Sequence, residues 1–405
     1  MKSWYVAMRA AALLATAGFA LGLAGNSSEA ANAPPAPTVA QQQTAMAKVP
    51  ADTRPNYDHY WYFAPIYDNP YKNWTPPPPP WQLCFNDSML GTSWRTDLYS
   101  ELKKLNAQYH AAGLTKADVL VTDSNNNINV QLTQFNNLHR QGCNVIFTIP
   151  SNPVGLCAGM HDAHGRGVLV ITVQAAAQCD DAINVGGNGY VAGKVLAQWV
   201  ADAINHRGNV LILSGVPGIS TTVSLEAGSK EVLAQYPGIR LVGTVYGFWN
   251  EATAKTEMVK WLATHPQKLD GIVAYGDMSV AADQALRQSG RPLALQADGT
   301  NECAYIAYWH DNKLHSLSGN AGGGSMGYEA FLVAIKMLFG QKPIVNTIWM
   351  PPSVIDDARA AQLYQPGMTM TSTCWADPPD HHLVADSYFD QFFKGGRAVE
   401  PKPNP

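Results

Sequence analysis

From residue 81 onward the chain repeats one pattern about nine times: a short apolar run, then a longer stretch with apolar residues at helical spacing. Runs that are apolar throughout, without polar alternation, read as strands buried on both faces, and helical crossovers between them force neighbouring strands to be parallel. The pattern places strands at 82–86, 119–122, 145–149, 168–173, 210–214, 241–245, 271–274, 293–297 and 314–318. Between them it places helices near 93–112, 130–140, 189–205, 222–236, 253–264, 279–289 and 326–339. The fold class is therefore α/β, either one closed β/α barrel or two open sheets. In both, ligand groups gather in the loops after the carboxyl ends of strands.

What precedes this region is of another kind. Lys2 and Arg9 lead into an apolar run from Ala10 to Ala24, and Ala31-Asn32-Ala33 offers small residues for cleavage. This predicts a secretory signal peptide over 1–33, because the run is shorter than the roughly 20 residues that span a bilayer. Residues 34–80 form a Pro- and aromatic-rich N-terminal arm ending in Pro76 to Pro80, which predicts extended chain packed along the body. The predicted compartment is periplasmic, and the predicted state is a soluble monomer.

Export makes the cysteines informative. The six, Cys84, Cys143, Cys157, Cys179, Cys303 and Cys374, are even in number and none forms a C-x-x-C pair, so three disulfides are expected. Many pairings are open to six cysteines. Pairing by proximity in sequence gives Cys157 with Cys179 and Cys303 with Cys374, and leaves Cys84 for Cys143. The formal net charge of -4 and the lack of any Lys/Arg block give a polyanion nothing to hold, so nucleic acid is excluded as a partner.

The loops after the strands are rich in Asn, Asp, Ser and Trp, side chains suited to hydroxyl recognition. Three stand out: Val121-Thr122-Asp123-Ser124-Asn125-Asn126, Ala274-Tyr275-Gly276-Asp277-Met278-Ser279 and Ala297-Asp298-Gly299-Thr300. In this order and spacing they resemble the turns of the ribose-binding-protein family, the type I periplasmic solute-binding proteins of ABC sugar importers. The resemblance covers residues 81 to about 349 and favours two open sheets over a barrel. It implies two similar lobes, each a parallel sheet covered by helices on both faces, joined by a three-strand hinge that closes around a solute. Lobe one would comprise 81–184 plus 317–347, and lobe two 185–316 plus 348–375. A tail over 376–405, with one short helix near 384–393, would lie on the surface.

The resemblance also implies a set of ligand-binding residues. In the loop that Asp87 heads, Trp94 holds the place of a stacking aromatic and Ser93 or Thr92 stands where a second one would be. The family's Asp-Arg pair after the fourth strand is replaced by Thr172-Val173-Gln174-Ala175, which leaves Gln174. A second arginine place falls near Val223, with Glu226 one turn on. Trp249 matches an aromatic that closes from lobe two. Asp277 stands at a helix entry, Asp298 matches a hydroxyl acceptor, and Asn320 lies near a hinge amide. Both arginines being lost, the expected pocket is neutral to acidic, suited to a neutral or amine-bearing sugar or polyol rather than a sugar acid.

Catalytic patterns are weaker. His161 and His164 lack an acid at metalloprotease spacing, 186–189 does not complete G-x-G-x-x-G, and neither G-x-S-x-G nor a phosphate-binding loop occurs. No catalytic residue, metal or cofactor is expected. The partners expected are a small-molecule solute and an ABC permease. The alternatives are presentation of the loaded protein to a chemoreceptor or sensor kinase, and an exported β/α hydrolase using Asp277 and Asp298.

Overall fold

The computed structural model describes residues 38–60, 64–276, 278–319, 321–377 and 381–397. The expected signal peptide and the candidate ligand residues Asp277 and Asn320 lie outside the described residues. The arm opens with α1 (Val39–Lys48). The first half of the body runs β1 (Leu83–Asp87), α2 (Ser93–Ala111), β2 (Leu120–Asp123), α3 (Ile128–Arg140), β3 (Val145–Ile149), α4 (Cys157–Gly165), β4 (Leu169–Val173) and β5 (Ile183–Gly187). The second runs α5 (Gly189–Ala203), β6 (Gly208–Ser214), α6 (Ser220–Ala234), β7 (Ile239–Tyr246), α7 (Glu251–Thr264), β8 (Gly271–Ala274), α8 (Ser279–Gln288), β9 (Leu295–Asp298), α9 (Cys303–Asn312) and β10 (Ser316–Ser318). The chain then returns through α10 (Gly323–Leu338), β11 (Lys342–Pro343) and β12 (Thr347–Met350), and ends in α11 (Asp357–Leu363), α12 (Asp386–Asp390) and β13 (Phe393–Lys394).

Two open sheets form, and no barrel. The first has the order β12-β5-β4-β3-β1-β2 and the second β10-β9-β8-β6-β7; every pairing in both is parallel. Strands β1, β3 and β4 are buried at every position, which is why β3 and β4 run almost entirely apolar without alternation and β1 does so until it ends in Asn86 and Asp87. Helices cover both faces, α10 against α2 on one side of the first sheet and α3 beside α4 on the other.

The chain passes between sheets after Gly187, after Ser318 and after Met350. The first and third crossings thus lie a few residues beyond the divisions drawn at 184 and 347, because β5 and β12 pair with each other at the edge of the first sheet. Neither strand shows as an apolar run. Asn184, the second residue of β5, is fully buried, accepts from Thr172 Oγ1 (2.6 Å) and donates to Thr347 Oγ1 (3.0 Å), so a polar network joins β4, β5 and β12. Beyond the third crossing, Ile355 exchanges backbone hydrogen bonds with Ser318 and so joins the second sheet's edge.

All three disulfides pair as proximity suggests: Cys84–Cys143, Cys157–Cys179 and Cys303–Cys374. The arm packs along the body but is not extended throughout, and the tail is more buried than expected. The arm carries α1, capped by reciprocal hydrogen bonds between Thr38 and Gln41, and sends Tyr57 and Tyr71 into the main core. Tyr57 Oη donates to Thr347 O (2.8 Å) and accepts from Trp349 N (3.2 Å), which ties the arm to β12. The tail is only in part surface chain: Phe389 and Phe392 are fully buried among mostly exposed neighbours, α12 spans only five residues, and β13 pairs antiparallel with β11.

Candidate functional site

The loops at the carboxyl ends of both sheets face a cleft of about 1160 Å³, mouth included. Its walls come from both lobes and from the crossings. Three residues expected from sequence, Trp94, Gln174 and Trp249, line it.

Trp94 lies in the first turn of α2, which Thr92 caps by accepting from Arg95 N (3.4 Å). Its indole Nε1 donates to Ala321 O (2.9 Å), so the ring is fixed against the second crossing. Trp249 comes from the opposite lobe, between β7 and α7. It and Phe248 both hold left-handed backbone, with φ of 53° and 60°, a conformation that costs energy for residues bearing a side chain and that concentrates at working sites. The turn lays the indole against Gly215 and Gly276. A Cβ on Gly215 would fall 2.2 Å from Trp249 Cε2, and one on Gly276 3.2 Å from Cδ1, so glycine at these positions makes room for the ring. Gln174 also has positive φ (60°), and its Oε1 accepts from Gly187 N (3.2 Å), which sets the amide over the first crossing.

The remaining described candidates lie behind the wall. Asp298 is fully buried and accepts from Ser279 N (3.3 Å), tying the end of β9 to the start of α8, while Gly299 and Thr300 reach the cleft. Ser93 stands between Thr92 and Trp94, both of which line the cleft. Glu226 is neither a cleft residue nor a solvated one. Its carboxylate accepts from Ser214 Oγ (2.7 Å) and pairs with Lys230 (2.6 Å), so it braces the end of β6 against α6. Its position one turn into a helix entering the cleft suggested otherwise, because a helical wheel alone does not say which face meets the sheet.

Asp87 is fully buried at the end of β1. Its Oδ1 accepts from Met89 N (3.2 Å) and from the guanidinium of Arg95, which also donates to Ser88 Oγ (2.9 Å). Burial pushes the Asp87 carboxyl above its ordinary value, against the pull of Arg95. Arg95 itself lines the cleft, so the cleft does hold a guanidinium, contrary to the expectation drawn from the two lost family arginines. With Asp87 beside it the pair is formally neutral. The signal available in sequence was the spacing of Asp87 from Arg95, a strand end and a first helical turn that a short loop brings together.

Among the described residues no group of His, Cys, Asp or Glu is arranged to hold a metal. His161 and His164 instead both bond Asp181, at 3.1 and 2.7 Å. Burial opposes ionisation of Asp181, but the hydrogen bonds and charge of the two imidazoles outweigh it and hold the carboxyl below its ordinary value.

Two open parallel sheets, three crossings and a cleft whose aromatic walls come from opposite lobes define a two-lobed solute-binding protein of the type I class. The periplasmic binding protein domain model matches residues 88–342, more than half of the chain, and the chain belongs to that family. A xylitol-binding protein of Mycolicibacterium smegmatis is 31% identical over 176 residues, 43% of this chain and 50% of that protein. A ribose import binding protein of Bacillus subtilis is 25% identical over 199 residues, 48% and 64% of the two chains. The matched part thus spans half to under two thirds of these relatives' length. The crystal structure of an ABC transporter solute binding protein from Thermobispora bispora superposes with a TM-score of 0.66 at 22% identity, covering 73% of this chain and 90% of that one, and shares the fold.

Proposed function

We propose that this protein is exported to the periplasm and captures a small, uncharged, hydroxylated solute of the sugar or polyol class between its lobes, for delivery to an ABC permease, without transforming it. The observation that carries this reading is the pair of indoles, Trp94 and Trp249, set on opposite walls of one cleft. An indole covers the C–H face of a sugar or polyol and leaves its hydroxyls to polar groups at the rim. Gln174, Thr300 and the Arg95 guanidinium are placed to meet those hydroxyls. The Arg95–Asp87 pair is neutral overall, so neither a strongly anionic nor a cationic solute is favoured. The relatives named for xylitol and ribose bind uncharged hydroxylated compounds, in keeping with this.

Thermal-shift screening of the full chain against neutral sugars, polyols, uronates and amino sugars, followed by calorimetry on the hits, tests it. A tight ligand raises the melting temperature by mass action. Neutral compounds should give the largest shifts. Best stabilisation by a uronate, or conversion of any bound compound into product, overturns the reading.

A further inference from the structure

The chain beyond residue 342 lies outside the matched family segment, yet part of it walls the cleft. Cys374 is bonded to Cys303 at the start of α9, and Trp375 forms a bridge with Glu302. The next two residues fasten the same stretch: Ala376 N donates to Asn301 O (2.8 Å), and Asp377 Oδ1 accepts from Asn301 Nδ2 (2.5 Å) and from Gly322 N (3.1 Å) at the second crossing. Further on, Leu383 N donates to Glu329 Oε1 (2.8 Å) in α10. The stretch thus begins tied to the second lobe and ends tied to the first. Trp375 and Leu383 both line the cleft.

A covalent bond with hydrogen bonds on either side fixes the backbone that carries this indole in advance of any ligand, which lowers the ordering cost when one arrives. The Trp375 indole N–H is buried and has no acceptor among the described residues. A tryptophan N–H is a donor only, so what completes it is an oxygen atom.

Resting on the solute-binding reading above, we infer that Trp375 is a specificity-determining residue of the cleft, contributed by chain that the family segment does not include. With Trp94 and Trp249 it puts three indoles in the cleft lining, and together they select a cyclic sugar or cyclitol over a linear polyol of the same carbon number. A ring presents flat C–H faces already fixed in shape, whereas a linear polyol must be ordered about each torsion before it meets more than one face.

The experiment is calorimetric titration of the full chain, wild type, Trp375→Ala and Trp375→Phe, with myo-inositol, glucose and ribose as cyclic probes and sorbitol, xylitol and ribitol as linear ones. Wild type should bind a cyclic probe more tightly than its linear counterpart. Trp375→Ala should weaken the cyclic probe by about ten-fold or more, as loss of a stacked aromatic implies, and change the linear one by less than about three-fold. Trp375→Phe keeps a ring and loses the N–H, and should fall between. The unliganded melting curve and an intact Cys303–Cys374 bond by mass spectrometry check the fold of each variant. Unchanged affinities in Trp375→Ala, or equal losses for both probe classes in both variants, overturn the inference while leaving solute capture standing. Failure of wild type to bind any of the six removes the solute-binding reading and this inference with it.

Discussion

Replacing Arg95 by methionine tests whether the first-lobe wall of the cleft is held together by charge. The Arg95 and Asp87 side chains are 7% and 0% exposed, so the pair sits where water cannot substitute for a lost partner. Methionine keeps much of the aliphatic stem and none of the donors. Breaking one side of a buried ion pair costs roughly 3–5 kcal/mol, against about 1 kcal/mol for an ordinary hydrogen bond, because a carboxylate stays behind unpaired. Asp87 would escape part of that cost by taking up a proton, and its value, already raised by burial, would rise further.

The pH dependence follows from that direction. A carboxyl whose folded value lies above its unfolded one, about 3.9, carries no penalty below about pH 4, where both states are protonated. The penalty grows as pH rises towards the folded value and is constant beyond it. Urea denaturation of wild type, Arg95→Met and the double variant Arg95→Met/Asp87→Asn at pH 4 and pH 7 reads the effect. The single variant should show the full deficit at pH 7 and a smaller one at pH 4, and the double variant should recover most of it at pH 7. A single variant as stable as wild type at pH 7, or a deficit that neither pH nor Asp87→Asn alters, would refute the reasoning.

Gly215→Ala places a methyl 2.2 Å from the Trp249 ring, so either the core is overpacked by about 1–3 kcal/mol or the indole leaves its seat. Solute affinity should fall and the tryptophan fluorescence should change; wild-type binding together with a wild-type melting temperature would show that the ring is not seated there. Serine at both Cys303 and Cys374 opens a link between residues 71 apart in sequence and should cost roughly 2–5 kcal/mol in urea denaturation under oxidising conditions, a loss that equal midpoints would deny. Asp181 is held below its ordinary value by His164 and His161 despite burial, so its contribution is present above the unfolded value, about 3.9, and is lost as pH falls through the folded one. The stability gap between wild type and Asp181→Asn should therefore narrow below about pH 4, and a gap that stays constant or widens there would count against the pairing.

The parts of this fold legible in sequence are those whose burial is purely apolar. Leu169–Val173 and Val145–Ile149 announce themselves because both faces of each strand meet helices. Ile183–Gly187 does not, since the buried Asn184 breaks its apolar run and is satisfied by Thr172 and Thr347 on strands that only the folded sheet makes neighbours. In the arm, composition points to chain packed along the body but not to the partners inside: the hydroxyls of the buried Tyr57 and Tyr71 donate to backbone oxygens, Thr347 O for the first and Asp181 O (3.0 Å) for the second.

The same distinction runs through the cleft. Gln174 and Trp249 follow strands β4 and β7, and Trp94 opens the helix after β1, so all three lie at the carboxyl ends of strands, where the family resemblance also put them. Trp375 follows no strand of either sheet, and periodicity has nothing to say about it. It is nevertheless adjacent to Cys374, and pairing Cys374 with Cys303 already sets it near the loop after β9, where Glu302 bridges it. A disulfide expected from sequence is a distance restraint as strong as a strand pairing. Applied to the neighbours of each cysteine, it places a tail residue at a site that strand order alone would never include.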